Sequence, residues 1–378
     1  MIAGLFLLNS CIDSYTPAIR SADTSKYVVT GQVDNKDTLQ TVNVSLSSSI
    51  SDPSYISVTG CTIRIQDDNG HHFPLTDNGD GSYSGKIDPQ YMYPGSAFRV
   101  SIKTPDGTEI ESDYDTIFGG PPIDSVYYKL KSEYQIDAVT AVQGIQLYTD
   151  LKKQESDSRY YRWVLTETWE YHSKWPINWY YSNGAVHHAV PTDSSKMVCY
   201  HTLPITNVYL YSTRNLAQSS SYECKLNFIG GNTPRLLYGY SLLIKQEALS
   251  QEAYNYWSQL KLNVTTNGGL YEKQPLVVIG NLHNLTNPNK QVLGFFSAVT
   301  SHTKRIFIPP VPGLKLTYIE GCNIIWMKKG LLGLNLLGYP VYFLGDVDWY
   351  TPYYIYQRDC VDCTLQGGVT QKPSFWPN

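Results

Sequence analysis

Charge is scarce in this chain. Asp, Glu, Lys and Arg together make 16% of 378 residues, and the formal charge is only −4. No stretch gathers Lys and Arg into a stripe, which argues against nucleic acid as a partner. Long apolar runs are lacking as well. A helix across a bilayer needs about 20 consecutive apolar residues. The nearest approach, "GLLGLNLLGYPVYFLG" at residues 330–345, is broken by glycines, Asn335 and Pro340 and reads as buried strand and turn. Catalytic signatures are missing too. There is no G-x-S-x-G, no H-E-x-x-H, no Walker loop and no dinucleotide fingerprint. Glu167 and Glu170, in "TETWEYH", are the one aromatic-flanked carboxylate pair. A glycosidase needs two such groups across a sugar, but charges on a strand rim fit the pattern better. His187 and His188 have no Cys or Asp at ligand spacing. His71 and His72 are adjacent, and neighbouring strand side chains point to opposite faces. A calcium loop counted from Asp77 would need oxygen ligands where Gly79 and Gly81 stand. These absences point to a non-catalytic protein with no metal and no cofactor.

The N-terminus carries a positive signal. A short apolar run at residues 2–8 leads into Leu8-Asn9-Ser10-Cys11. This resembles a bacterial lipobox, in which the leader is cut before a cysteine whose sulfur takes a lipid. The chemistry calls for cysteine because the thiolate is the nucleophile, and for small residues before the cut. No Lys or Arg precedes Cys11, so the usual positive n-region is missing. On this reading residues 1–10 are a lipoprotein signal peptide and Cys11 is the lipidation site. Residues 11–26, loop-like in composition, form the lipidated tether.

Six further cysteines then remain: Cys61, Cys199, Cys224, Cys322, Cys360 and Cys363. An even count outside the cytoplasm reads as a disulfide framework, with fifteen complete pairings open to six thiols. Cys360 and Cys363 also have the spacing of half a zinc site or of a redox pair. Zinc wants a second close pair, and a redox motif wants a βαβ setting. Structural bridges are the preferred reading.

Tyrosine is abundant, with 32 copies, and aromatics make 13% of the chain. Aromatic and β-branched residues suit strands. From residue 27 to 118 short alternating segments such as "YVVTGQV", "CTIRIQDD" and "AFRVSIKT" are separated by Asn-Gly, Asp-Gly and Pro-Gly turns. That spacing suits an immunoglobulin-like β-sandwich, and "DNGDGSYSGKI" resembles the carboxypeptidase-regulatory kind. "GGPPID" marks a boundary. Residues 122–378 read as a second, larger β-rich domain with one or two short helices and a C-terminal CxxC tail. Its clearest helix is "QEAYNYWSQLKLN", with Ser250 as N-cap and a stripe of Ala253, Tyr256, Trp257 and Leu260. The segment "HSKWPINWYYSNG" reads as a loop, and its Trp175, Trp179, Tyr180 and Tyr181 are candidate contacts for a glycan or peptide ligand.

Taken together, "LLNSC", "YVVTGQV", "YYRWVLTETWEY", "YSLLIKQEALSQEAYNYWSQL", "QPLVVIGNLHNLTNPNKQVLGFFSA" and "CVDCTLQGGVTQKPSFW" resemble a family of uncharacterised Bacteroidota outer-membrane lipoproteins with a domain of unknown function. Members look like accessory lipoproteins encoded beside TonB-dependent receptors. The resemblance implies a partner, not a reaction, and brings no catalytic residues. The acidic run that follows the cysteine in surface-exposed members is reduced here to Asp13. The implied function is a lipid-anchored, non-catalytic accessory protein at the cell surface, acting with such a receptor in substrate capture or gating. The alternative is a carbohydrate-binding or adhesive surface lipoprotein without a transporter.

Overall fold

A computed structural model of the chain describes residues 25–49, 52–134, 140–152, 157–183, 185–215, 221–265, 278–318, 321–322, 324–326, 341–343, 353–355 and 358–377. Cys11, the expected leader at 1–10 and most of the expected tether at 11–26 lie outside these residues. Of the run at 330–345, only Val341–Phe343 is described, as a strand.

The protein is mainly β, as the alternating patterns imply. Its first nine strands are β1 (Tyr27–Asp34), β2 (Leu39–Leu46), β3 (Ile56–Ser57), β4 (Thr62–Asp67), β5 (His72–Asp77), β6 (Ser82–Lys86), β7 (Ala97–Lys103), β8 (Glu109–Ser112) and β9 (Asp115–Thr116). Seven of them follow one hydrogen-bonded path, β1-β2-β6-β5-β4-β7-β8, with β3 paired to β2 and β9 to β7 beside it. The path folds over on itself, so that Val29, Val33, Val42 and Val44 pack in one core with Ile63, Ile65, Phe98, Val100 and Ile102. The alternation in β1, β2, β4 and β7 sends every second side chain into that core. Tyr83 crosses between the layers: its hydroxyl donates to Val58 O at 2.8 Å and accepts from Cys61 N at 3.0 Å.

The remaining strands are β10 (Val126–Glu133), β11 (Val142–Lys152), β12 (Tyr160–His172), β13 (Ile177–Ser182), β14 (Ala185–Asp193), β15 (Val198–Ser212), β16 (Ser221–Gly230), β17 (Tyr240–Leu249), β18 (Leu282–Asn284), β19 (Leu293–Ile308), β20 (Ile324–Trp326), β21 (Val341–Phe343) and β22 (Tyr353–Ile355). One α-helix is present among the described residues, α1 (Gln251–Thr265). It starts where the sequence places it: Ser250 Oγ accepts from Ala253 N at 3.0 Å, the N-cap bond.

Strands β15-β12-β17-β19 join β1 at one end and β18 pairs with β8 at the other, which makes one continuous sheet of 14 strands. β19 is its backbone. It runs parallel to β1, from Val28 opposite Leu293 to Asp34 opposite Val299, and antiparallel to β17 further along. Phe296 and Ala298 enter the first core, whereas Ile308 enters a second. Gly294 permits the junction. It has φ +103°, and a Cβ there would lie 1.8 Å from Val29 O. The division between residues 118 and 122 therefore does not separate the cores, since Leu282, Val292, Phe296 and Ala298 complete the first one. The boundary segment is itself docked. Gln246 Nε2 donates to Pro121 O at 2.7 Å, and Ser158 N donates to Gly119 O at 2.8 Å.

The second core lies between β12-β17 and the three-stranded sheet β10-β11-β16, with Tyr161, Trp163, Leu165, Leu242 and Ile244 facing Ile145, Leu147 and Leu226. The opposite face of the large sheet is covered by α1, where Leu249, Ala253, Tyr256, Phe295 and Val299 form a smaller cluster. Both faces of β12 are thus occupied, which explains its aromatic content. A five-stranded sheet, β14-β13-β21-β22-β20, completes the described structure.

Candidate functional site

The helix covers only part of the sheet. Where its cover ends, a cleft of about 270 Å³ opens between α1 and the outward face of β1 and β2. Alternation places Val29 and Val33 in the core and leaves Thr30 and Gln32 outside. Thr41 and Asn43 of β2 lie beside them, and Tyr256, Trp257 and Phe295 form an aromatic wall. Gly31, between Thr30 and Gln32, faces the core side with Val29 and Val33, where a Cβ would meet Val42 Cγ2 at 2.9 Å and Thr41 O at 3.2 Å.

Arg162 and Glu247 sit at the base. They face each other across the β12–β17 ladder, and Arg162 Nε donates to Glu247 Oε2 at 2.6 Å. Gln32 Nε2 donates to Glu247 Oε1 at 3.2 Å, and its own oxygen accepts from Arg162 Nη2 at 3.5 Å. The guanidinium lies 3.9 Å from the centre of the Trp257 ring. Glu247 is 1% exposed and Arg162 9%. A buried ion pair recovers little more than its desolvation cost. Its place at the base of a cleft between two packed cores is therefore better explained by what it holds in position than by stability. Next to it Lys245 Nζ reaches Asp34 Oδ2 at 2.6 Å, a second cross-link from β17 to β1.

The aromatic residues singled out in the sequence lie elsewhere. Trp179, Tyr180 and Tyr181 belong to strand β13 and not to a loop, and Trp175 precedes it. Trp179 stacks on His188 of β14 at 3.9 Å, and Tyr180 on His187 at 5.0 Å. Successive strand side chains point to opposite faces, so Trp179 and Tyr180 cannot present their rings to one ligand. Trp175 and Tyr180 pack on a small third core of Ile177, Tyr342, Cys360 and Val361. The expected loop is thus a strand, with Trp179 and Tyr181 on one of its faces and Tyr180 on the other. The two carboxylates of "TETWEYH" are both engaged. Glu167 accepts from Arg235 Nε at 2.9 Å and from the Tyr240 hydroxyl at 3.0 Å. Glu170 pairs with His172 at 2.6 Å and accepts from Trp376 Nε1 at 3.2 Å. Among the described residues no group of three His, Cys, Asp or Glu is placed to hold a metal ion. No helix among them is long and apolar enough to cross a membrane.

Four of the six cysteines form bridges, Cys199 to Cys363 and Cys322 to Cys360. The expectation of a third is corrected. Cys61 is buried in the first core and Cys224 in the second, so they cannot meet. Burial pushes the Cys224 thiol up to about 12 and raises that of Cys61, which leaves both as inert thiols. The bridged CxxC tail is tied down further. Val369 pairs with Tyr200 of β15, Lys196 Nζ reaches Asp362 at 2.7 Å, and Trp376 packs edge-on against Tyr200 and Phe307.

The cleft was not visible to local pattern reading. Arg162 and Glu247 are 85 residues apart and meet only through strand register. One signal was present: charges inside two strands otherwise rich in apolar residues, Arg162 in "YYRWVL" and Lys245 and Glu247 in "LLIKQEAL". Trp257 reads as core from its helical spacing, and it does pack there, yet it also walls the cleft.

The structure thus defines a β-rich protein whose two cores share one sheet, with an aromatic and polar cleft between them. In sequence the chain belongs to the family described as "Domain of unknown function (DUF4249)", whose model matches residues 12–305. The match stops before the segment that carries Cys322, Cys360 and Cys363. No curated protein matches the chain.

Proposed function

We propose that this chain is a lipid-anchored, non-catalytic lipoprotein of the Bacteroidota outer membrane, tethered through Cys11 and exposed at the cell surface. It acts beside a TonB-dependent receptor in substrate capture or gating. The observation that carries this reading is the pair of disulfides that binds the C-terminal segment to β15 and to itself. Such bridges persist in oxidising compartments and are rare in the cytosol, which fits export through a lipobox leader. The receptor comes from the resemblance of the sequence to accessory lipoproteins. Capture is supported by a cleft with fixed polar groups, and a non-catalytic role by Glu167 and Glu170, each committed to structural partners.

The aromatic wall of the cleft also favours a second reading, a carbohydrate-binding or adhesive lipoprotein that works without a transporter. Cross-linking in intact cells, followed by pull-down in mild detergent, separates the two. The first reading predicts that a TonB-dependent receptor is captured with the chain. Efficient recovery of the cross-linked chain with no receptor would overturn it in favour of the second.

A further inference from the structure

We propose that the cleft between β1, β2 and α1 binds a sugar ring of a neutral glycan, held by Arg162, Gln32 and Asn43 against the wall formed by Trp257 and Tyr256. This deepens the capture reading and rests on it.

Four features of the cleft select this ligand. Charge is the first. Arg162 is the one charged residue in the lining, and Glu247 beneath it accepts from it and from Gln32. With that compensation the lining has no surplus charge for an anion or a cation. Polarity is the second. Thr30, Gln32, Thr41, Asn43 and Ser297 all line the cleft. An apolar ligand would strip water from these groups without replacing its hydrogen bonds, which is costly.

Backbone accessibility is the third. β1 is paired on both sides, by β19 and β2, and β2 is paired by β1 and β6. The floor is a sheet face, with no free ladder on which an extended peptide could add a strand. Recognition must therefore come from side chains. Hydroxyl groups suit planar amide and guanidinium donors and acceptors at fixed positions. Shape is the fourth. At about 270 Å³ the cleft lies just below the usual range of about 300–1,000 Å³ for small-molecule sites. It fits one ring lodged against an aromatic wall, with the rest of the glycan outside.

The groups are also held ready. Arg162 is fixed by Glu247, Gln32 and Trp257 together, so little side-chain freedom is lost on binding.

Calorimetric titration of the purified full chain tests this. The probes are neutral plant and bacterial oligosaccharides, their sulfated and uronic-acid counterparts, and short uncharged peptides. A neutral oligosaccharide should bind, with affinity nearly unchanged between low and high salt, because no net charge is matched. Asn43→Ala should weaken it by about tenfold, the loss of one buried hydrogen bond. Thr41→Trp, at the exposed rim, should block it. Both positions face away from the core, and an unchanged circular dichroism spectrum confirms the fold. Trp179→Ala, outside the cleft, should leave affinity as it was. The proposal is overturned by binding to no neutral oligosaccharide, by preference for the acidic probes or the peptides, or by affinity indifferent to both cleft variants. Receptor capture by the same preparation stays independent of these outcomes. A chain that pulls down the receptor but binds no glycan loses the ligand and keeps the function.

Discussion

Asp115 shows burial as the leading cause of a shifted carboxyl in this fold. It is 4% exposed and lies where β9 meets β19 and the start of α1, with Ala298 N donating to it at 2.8 Å. Burial pushes its carboxyl up to about 6, and the charge of Glu252 adds to the rise. The Ser250 hydroxyl and the Ala298 N–H oppose it. An acid whose pKa is higher in the fold than in the unfolded chain favours the folded state while protonated. Its contribution is complete below about pH 4 and is lost as pH rises through about 6. A rise of about two units corresponds to roughly 3 kcal/mol. Denaturant unfolding at a series of pH values should therefore show stability falling between about pH 4 and pH 7 relative to Asp115→Asn, which stays uncharged. Parallel curves for the two proteins would show that Asp115 ionises at no cost. Arg162 illustrates a different case, a buried guanidinium held in place by Glu247, Gln32 and Trp257. Cys61 and Cys224 illustrate a third, buried thiols that behave as small apolar side chains.

Among the elements, those with a strong period are legible in the sequence. β12 coincides with "YYRWVLTETWEYH", and α1 begins one residue after its N-cap. These patterns are local, and each residue's burial follows from its own element. The cleft, the cysteine pairing and the role of β19 depend on register between distant segments. In the sequence, β19 shows as two short strand patterns, "VLGFFSAVT" and "KRIFIPP", and nothing local says that they form one strand or that Phe296 and Ile308 enter different cores. "HSKWPINWYYSNG" reads as a loop because of Pro176, Asn178 and Gly184, yet the cross-strand stacking of Trp179 on His188 and Tyr180 on His187 holds it as a hairpin. The C-terminal segment is an element in its own right, held by bridges. The Cys199–Cys363 bridge spans 164 residues and Cys322–Cys360 spans 38. A longer closed loop removes more entropy from the unfolded chain, by about 1 kcal/mol for this difference, within a usual range of about 2–5 kcal/mol per bridge. Replacing Cys199 and Cys363 by Ala should thus lower the unfolding midpoint more than replacing Cys322 and Cys360. The reverse order would mean that native-state packing, not chain entropy, sets their value.

At the scale of the molecule, one sheet passes through both cores, and a cleft lies where the helix stops covering it. The boundary segment at 118–122 is pinned to β17 and to Ser158, two residues before β12, so the two cores are coupled rather than hinged on a free linker. A rigid body of this kind suits a role in which a ligand or partner meets a preformed surface, and the disulfides suit a body that works outside the cytoplasm. The central claim is that this body hangs from the envelope by a lipid. Intact-mass and peptide mass spectrometry of protein isolated from native membranes tests it most directly. The account predicts a mature chain that starts at Cys11, with a diacylglyceryl group in thioether linkage to its sulfur. A Cys11 with a bare thiol, in a chain that still carries residues 1–10, would contradict it.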